Sequence, residues 1–476
     1  MREIESYRGL AALAGIGTLR DASKPGLSVE QCVARLKRYH YALRRLHQIL
    51  TARITAEPIY ELKTAFSLHA WLCAEHVQGL RTRVGEMREP PLGLDAVPDA
   101  SLELFFDEIL AAPTTEELLL GVYDVAMPAL AAALERHVAE TNVLADHPSV
   151  RLCRLARIEL GDMLDFGRAA VAALVDDSHR QAARDWLAVL DAALAAAGGL
   201  DGTAARPASP ASPPRRMHSA TPYVYDGVPR RDERFIDPFN RGVDPEFFLY
   251  DETQPPDAKA LMLFFKRLRE IDVPEMMASI ITETPGKPWA YYREMSRQLW
   301  DEARHAMMGE VALVDAGVDW RRIPVSWTWS RNLNTMLTPK ERHAVLFWIE
   351  QSLMPKTGKR YEWEVATQSN YPLAGLFQDY DWADEVLHAA IGRRHYVAEF
   401  DNPKDATALG EAAWAKIPSG DAEYADKTVS AHRNWWPEIY EQACRARGVE
   451  PDPRVLAYPG RRTTPRTSRE PVEASG

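Results

Sequence analysis

The stretches QLWDEARHAMMGE (298–310) and ADEVLHAAIGRRHY (383–396) carry one pattern twice, D-E-x-x-H, as Asp301, Glu302 and His305 and again as Asp384, Glu385 and His388. Residues three apart on an α-helix share a face, so each copy offers a carboxylate and an imidazole to one point. Both copies sit in helical sequence, the first flanked by the apolar Leu299, Trp300, Ala303 and Met307. Two such faces can hold two metal ions when two further helices each supply a single glutamate.

Hairpin geometry says where to look for those glutamates, because antiparallel partners sit about equally far from their turn. Glu302 stands about 16 residues after Gly286, the centre of the turn Thr284-Pro285-Gly286-Lys287-Pro288, and the same distance before it lands on Glu270, with Glu275 as the fallback. Glu350 precedes Glu385 by 35 residues, close to the 32 between Glu270 and Glu302, as a quasi-symmetric bundle requires. Glu362 and Glu364 compete with Glu350, but Pro355 and KTGK (356–359) place them beyond the helix. His343 and His395 each stand seven residues from a proposed ligand and so on its face, which makes them further candidates, although a second-layer or surface histidine is the plainer reading. The expected metal set is therefore Glu270, Glu302, His305, Glu350, Glu385 and His388.

Metal-bound imidazoles usually donate their second N–H to a carboxylate, and Asp301 and Asp384 are placed to do this, each for the histidine of the opposite helix. Plain surface carboxylates are the competing reading. Arg304 is expected either to pair with a buried carboxylate or to face solvent. Four carboxylates and two neutral imidazoles suit iron or manganese, and four negative charges nearly neutralise two divalent ions. Zinc fits poorly beside so many carboxylates. The expected cofactor is a pair of iron ions, with a manganese/iron pair as a variant.

Residues 256–400 resemble the ferritin-like di-iron carboxylate superfamily. The two D-E-x-x-H stretches and WIEQSLMP (348–355) are similar to a family of bacterial ferritin-like proteins with DEARH and DEIGHVAIG segments. The resemblance implies a ferritin-like four-helix bundle and the same six ligands, and it adds no substrate. REIDVPEMM (269–277) departs most from the pattern because of Pro274, which should kink its helix.

The leading expectation is an enzyme: a non-haem di-iron oxidase or oxygenase that uses dioxygen to hydroxylate, N-oxygenate or otherwise oxidise a small organic molecule. Glu302 and Glu385 would be its catalytic carboxylates, and a reductase or ferredoxin its electron donor. A ferroxidase or iron-handling protein would use the same ligands, and a non-catalytic helical scaffold would keep them without turnover. Trp289, Tyr291, Tyr292, Trp300, Trp348, Tyr361 and Trp363 read as packing rather than as electron relays.

The rest of the chain bounds these readings. At 476 residues it is too long for one ordinary core, and 46% hydrophobic with 26% charged residues is a soluble globular composition. Lys and Arg number 57 against 68 Asp and Glu, and the net charge of -11 argues against nucleic acid as a partner. Cys32, Cys73, Cys153 and Cys444 form no C-x-x-C pair, which suits a reducing cytosol and speaks against thiolate metal sites. MREIESYRGLAALAGIG does not read as a signal peptide, and no run reaches about 18 apolar residues, so a cytoplasmic chain without a membrane span is expected.

The fold class expected is all-α, in two bundles. The first, residues 1–197, has helices at about 29–55, 58–87, 115–142, 148–176 and 179–197. GGLDGTAARPASPASPPRRMHSATP (198–222) reads as a mobile linker. Residues 223–458 form the ferritin-like domain, with helices at about 256–283, 289–316, 339–354 and 379–399, and 459–476 reads as a disordered tail. The first bundle looks like a worn copy of the second: His69, His76 and Glu61 are present, but Glu159-Leu160-Gly161-Asp162 has an aspartate where E-x-x-H needs its histidine. It is expected to be metal-free and accessory, covering the catalytic bundle, shaping access or making a homodimer. His40, His47 and His137 carry no signal of their own.

Overall fold

The computed structural model describes residues 7–87, 93–207, 215–418 and 424–461, and among them the regular structure is entirely helical. The chain forms two compact units. The first comprises Met1–Arg53, Ala65–Tyr225 and Lys287–Ser296; the second comprises Ile54–Thr64, Asp226–Gly286 and Arg297–Gly476.

The helices of the first unit are α1 (Val29–Arg53), most of α2 (Tyr60–Glu86), α3 (Ala100–Leu110), α4 (Thr115–Glu140), α5 (His147–Leu174) and α6 (Asp177–Ala196). Helix α3 is absent from the sequence reading, yet Leu102, Phe105, Phe106 and Ile109 make a buried stripe and Asp99 caps it by accepting the N–H groups of Ser101 and Leu102. Helix α4 is long and apolar enough to cross a membrane by length and composition, and 61% of its apolar window is buried inside the structure. Its apolar residues pack against α5.

The described parts of 198–222 are anchored rather than free. Arg38 donates to the carbonyls of Ala197, Gly199 and Leu200 at 2.9, 2.8 and 2.7 Å, and buried Asp201 pairs with Arg136 at 2.9 Å. On the far side, Glu108 accepts the backbone N–H groups of Met217, His218 and Ser219. The stretch has few apolar residues to bury, Leu200 being one, and polar anchoring holds it, which composition does not reveal. The centre of the expected linker, 208–214, and the expected disordered tail from 462 onward lie outside the described residues.

The second unit carries α7 (Pro256–Arg269), α8 (Asp272–Glu283), the greater part of α9 (Trp289–Asp315), α10 (Thr328–Met336), α11 (Pro339–Ser352), α12 (Tyr361–Thr367), α13 (Pro372–His395), α14 (Pro403–Trp414) and α15 (Trp436–Arg447). Its core gathers Leu261, Phe264, Phe265, Leu268, Trp435 and Trp436. The single kinked helix expected over 256–283 is two helices. Proline lacks the N–H that the carbonyl four residues earlier needs and crowds that carbonyl, so the chain tightens ahead of Pro274: Glu270 donates to the Arg267 carbonyl and Val273 to that of Glu270. The break leaves Glu270 at the C-terminal end of α7. Helix α9 then crosses α7 closely at Gly309, where a Cβ would lie 2.2 Å from the backbone nitrogen of Leu268. That approach sets the end of α7 beside Glu302 and His305. Helix α13 starts at Pro372, earlier than expected, with the proline in the first turn where its fixed φ suits a helix.

Candidate metal centre

Four helices bring six ligand-type side chains together: Glu270 from α7, Glu302 and His305 from α9, Glu350 from α11, and Glu385 and His388 from α13. All but Glu270 are fully buried. They fall into two groups, Glu302, Glu350, Glu385 and His388 in one and Glu270, Glu302 and His305 in the other, and a third group joins His305 and Glu385 to Asp381 of α13, each with its ligand atoms within 4.8 Å of one another. Glu302 belongs to the first two. Its Oε1 lies 3.2 Å from His388 Nδ1 and its Oε2 3.6 Å from His305 Nδ1, so this carboxylate spans the two histidines.

The other three glutamates share one arrangement. Each has one oxygen held from outside and one directed inward: Glu270 Oε1 by Arg267 at 2.9 Å, Glu350 Oε1 by Gln298 Nε2 at 3.0 Å, and Glu385 Oε1 by Lys359 at 2.8 Å. The opposite oxygens, and Nδ1 of both histidines, are buried and make no hydrogen bond. Inward-facing lone pairs without donors are what a pair of divalent ions would satisfy, and hard oxygens with imidazole nitrogens are a donor set for iron or manganese.

An outer ring orients the histidines, and it is crossed. His305 Nε2 lies 3.1 Å from Asp384 Oδ2, and His388 Nε2 lies 3.4 Å from Asp301 Oδ2, each aspartate standing on the helix of the other histidine. Arg304 donates to Asp301 and Asp384 at 2.6 Å each and so ties the two aspartates together, which settles its two expected roles in favour of the buried carboxylate pair.

The cluster also contains residues the sequence reading passed over. Asp381, on α13, is fully buried and pairs with Arg267 and with Lys359, whose Nζ lies 2.9 Å from both its oxygens. Lys266 pairs with Glu362. Asp381 was within reach of inspection, because it stands four and seven residues before Glu385 and His388 and therefore on their face. Lys359 carried no such signal. It enters through a turn at Gly358, where a Cβ would lie 2.3 Å from the Leu353 carbonyl oxygen.

These contacts set the charge states without metal. Burial disfavours a charged His305, yet Asp384, Glu270 and Glu302 raise its pKa to about 10. Burial likewise opposes the charge on His388, which Asp301, Glu302 and Glu385 nonetheless hold well above the ordinary imidazole range. Glu350 is pushed well above the carboxylate range by burial and by the charges of Glu385 and Glu302. Glu385 goes the opposite way, since Lys359, Glu350 and His388 together outweigh its burial, and Arg267, Lys359 and His305 together outweigh that of Glu270 and lower it to about 2.

Three candidates lie elsewhere. Glu275 sits past the helix break and turns to Arg231, with contacts at 3.1 and 2.9 Å, and to Lys63 at 2.9 Å. His343 packs its ring on Tyr396, centroids 5.2 Å apart, and His395 is half-buried at the end of α13. Neither joins a convergent ligand group among the described residues. Each lies about 10 Å along its helix axis from the ligand-type residue whose face it shares, on the side away from the cluster. Glu362 and Glu364 do lie beyond α11, on α12. Trp348 packs on Trp414 and Trp363 on Trp382, as packing aromatics do. In the first unit His69 meets the Tyr123 hydroxyl at 2.7 Å and His76 meets Glu159 at 2.6 Å, two separate pairs rather than one cluster.

Comparison of the chain with protein-family models, with curated proteins and with solved structures found no match.

Proposed function

We propose that the second unit is a dinuclear non-haem metal enzyme, with iron the best-fitting metal, that uses dioxygen to oxidise a small organic substrate. The observation that carries this reading is the ligand polarity of the cluster: held oxygens face out, free oxygens and both Nδ1 atoms face in, and Glu302 spans the two halves. The inward oxygens of Glu270 and Glu385 lie 3.5 Å from Nδ1 of His305 and His388, long for a hydrogen bond and a spacing that two ligands of one metal ion also keep. Bound iron supplies a redox-active centre with open positions for dioxygen.

The protein's own groups prepare that centre. Asp301 and Asp384 accept the Nε2–H of His388 and His305, which fixes the tautomer with the Nδ1 lone pair inward and raises ligand basicity. Gln298, Lys359 and Arg267 hold the remaining glutamates with a single oxygen presented. Arg267 places positive charge at Glu270 and Lys359 at Glu385, while Glu350 is held by the neutral Gln298. Putting one oxygen atom into a substrate while the other leaves as water takes electrons from outside, so a reductase or ferredoxin is part of this reading.

Anaerobic Fe(II) loading tests it. The expected content is about two irons per chain, with near-ultraviolet absorbance growing on exposure to oxygen. Glu302→Ala removes the shared carboxylate and should empty both positions, whereas Glu159→Ala on α5 should leave both filled. Content far below one iron per chain in the unaltered protein rejects the reading.

A further inference from the structure

The first unit contains a second convergence of ligand-type side chains, unlike the first in chemistry. Cys32 lies in the first turn of α1, His137 in the last turn of α4, Thr141 just after it, and Asp146 just before α5. All four are buried. Asp146 Oδ2 lies 3.3 Å from Cys32 Sγ, 3.2 Å from His137 Nε2 and 2.9 Å from Thr141 Oγ1. Three donors thus crowd one carboxylate oxygen, which has two lone pairs. The other oxygen, Oδ1, is held by Arg83 at 3.1 Å, so the carboxylate is fixed with Oδ2 facing the group.

These spacings match those around a tetrahedral zinc ion. With a Zn–S bond of about 2.3 Å and Zn–N and Zn–O bonds of about 2.0 Å, tetrahedral angles put sulfur about 3.5 Å and nitrogen about 3.3 Å from the oxygen. The observed 3.3 and 3.2 Å need only small adjustments. A thiolate, an imidazole and one carboxylate form a mixed soft and borderline donor set that suits zinc far better than the oxygen-rich cluster of the second unit.

We propose that Cys32, His137 and Asp146 form a zinc site, with the Thr141 hydroxyl or a water in the fourth position. The ion replaces the protons that crowd Asp146 Oδ2, the Cys32 proton leaving to solvent, and it ties together the start of α1, the end of α4 and the start of α5. The scarcity of cysteine pointed away from a thiolate site because that argument looks for local pairs. Here the partners of Cys32 stand more than 100 positions away in sequence.

The test uses the full chain, stripped with chelator and titrated with Co(II) as the spectroscopic stand-in for zinc. Sulfur-to-cobalt charge transfer absorbs in the near ultraviolet only when a thiolate is a ligand, so the carboxylate cluster is silent. The band should grow to about one equivalent per chain and be bleached by added zinc. Cys32→Ser should abolish it, Cys153→Ser should keep it, and His137→Gln, which retains the thiol, should weaken Co(II) binding at least about tenfold. Glu302→Ala should leave it unchanged, which separates this site from the dinuclear one. No band in the unaltered protein, or a band that survives Cys32→Ser or is indifferent to His137→Gln, overturns the proposal.

Discussion

Both units bury histidines and give them opposite surroundings. In the first, His40 meets Arg81 at 3.2 Å, His47 the Ser296 hydroxyl at 2.7 Å and His69 the Tyr123 hydroxyl at 2.7 Å, and burial lowers them to about 3, about 4 and about 3. In the second, His305 and His388 are as deeply buried but face carboxylates, and both are raised. Burial alone favours neutral imidazole, so a raised pKa at full burial reports negative charge left over nearby. Arg267 and Lys359 compensate that charge only in part. His40, His47 and His69 are thus core residues of the first unit, unlike His137 beside Asp146, whereas His305 and His388 are poles of an unfinished electrostatic site in the second.

Acid should separate the two most strongly. A histidine whose folded pKa is lowered binds protons more readily when unfolded. It therefore contributes stability that is complete above about 6.5 and lost as pH falls toward 4. His40, His47 and His69 each stand to lose about 3 kcal/mol by pH 4, at roughly 1.4 kcal/mol per pKa unit. His305 and His388, raised when folded, work the other way: in metal-free protein their contribution is complete below about 6.5 and fades as pH climbs through the folded value. Hydrogen exchange between pH 6.5 and 4.5 should show α1 and α2 losing protection before α9 and α13. Simultaneous loss would mean that the environments differ less than their geometry indicates.

Removing the negative charge should erase the contrast. In metal-free Glu302→Gln protein, the spanning carboxylate no longer faces either Nδ1, and both histidines should titrate lower by about 1 unit or more, on the order of 1.4 kcal/mol each. NMR titration of the imidazole Cε1 protons reads this directly. A shift at only one histidine would place Glu302 in one half of the site.

The crossed aspartates predict a subtler and symmetric effect. Asp301→Asn should lower metal affinity by about 10- to 100-fold through His388, and Asp384→Asn by a similar factor through His305. Titration of each variant with Fe(II) under nitrogen measures it. Equal losses support a two-fold outer ring, whereas no loss at either would reduce both residues to buried ion-pair partners of Arg304 and Arg297.

How much of this site was legible depended on whether the signal was carried by helix geometry. The D-E-x-x-H pair puts four ligand-type residues on two helical faces, and equal distance from a turn pointed to Glu270, which joins them even though Pro274 splits its helix. The crossed partnership of Asp301 with His388 was expected from chemistry, because a metal-bound imidazole needs an acceptor for its second N–H, with a plain surface carboxylate as the competing reading. Asp381 shares the face of Glu385 and His388 and could have been found by spacing, but Arg267 and Lys359 escaped for a physical reason. Lys and Arg are usually solvent-exposed, so nothing in their identity announces full burial. Lys359 additionally arrives by a loop path that depends on the Gly358 turn rather than on any period. The same limit hid the Cys32 group, whose members share a place in space and no local pattern.

His343 gives the smallest expected effect and the sharpest check on the face argument. It lies two turns from Glu350 on α11, and a helical wheel puts both on one side. The rise of about 1.5 Å per residue nevertheless carries it about 10 Å along the axis, where it meets the Tyr396 ring instead of the cluster. Replacing it with phenylalanine keeps a planar ring against Tyr396 and removes any nitrogen ligand. His343→Phe should therefore leave Fe(II) stoichiometry unchanged and affinity within about twofold, at a stability cost of about 1 kcal/mol or less. A loss of one iron would show that the ligand set extends two turns along α11, and the division of the buried histidines into core and site would then have to be redrawn within the second unit as well.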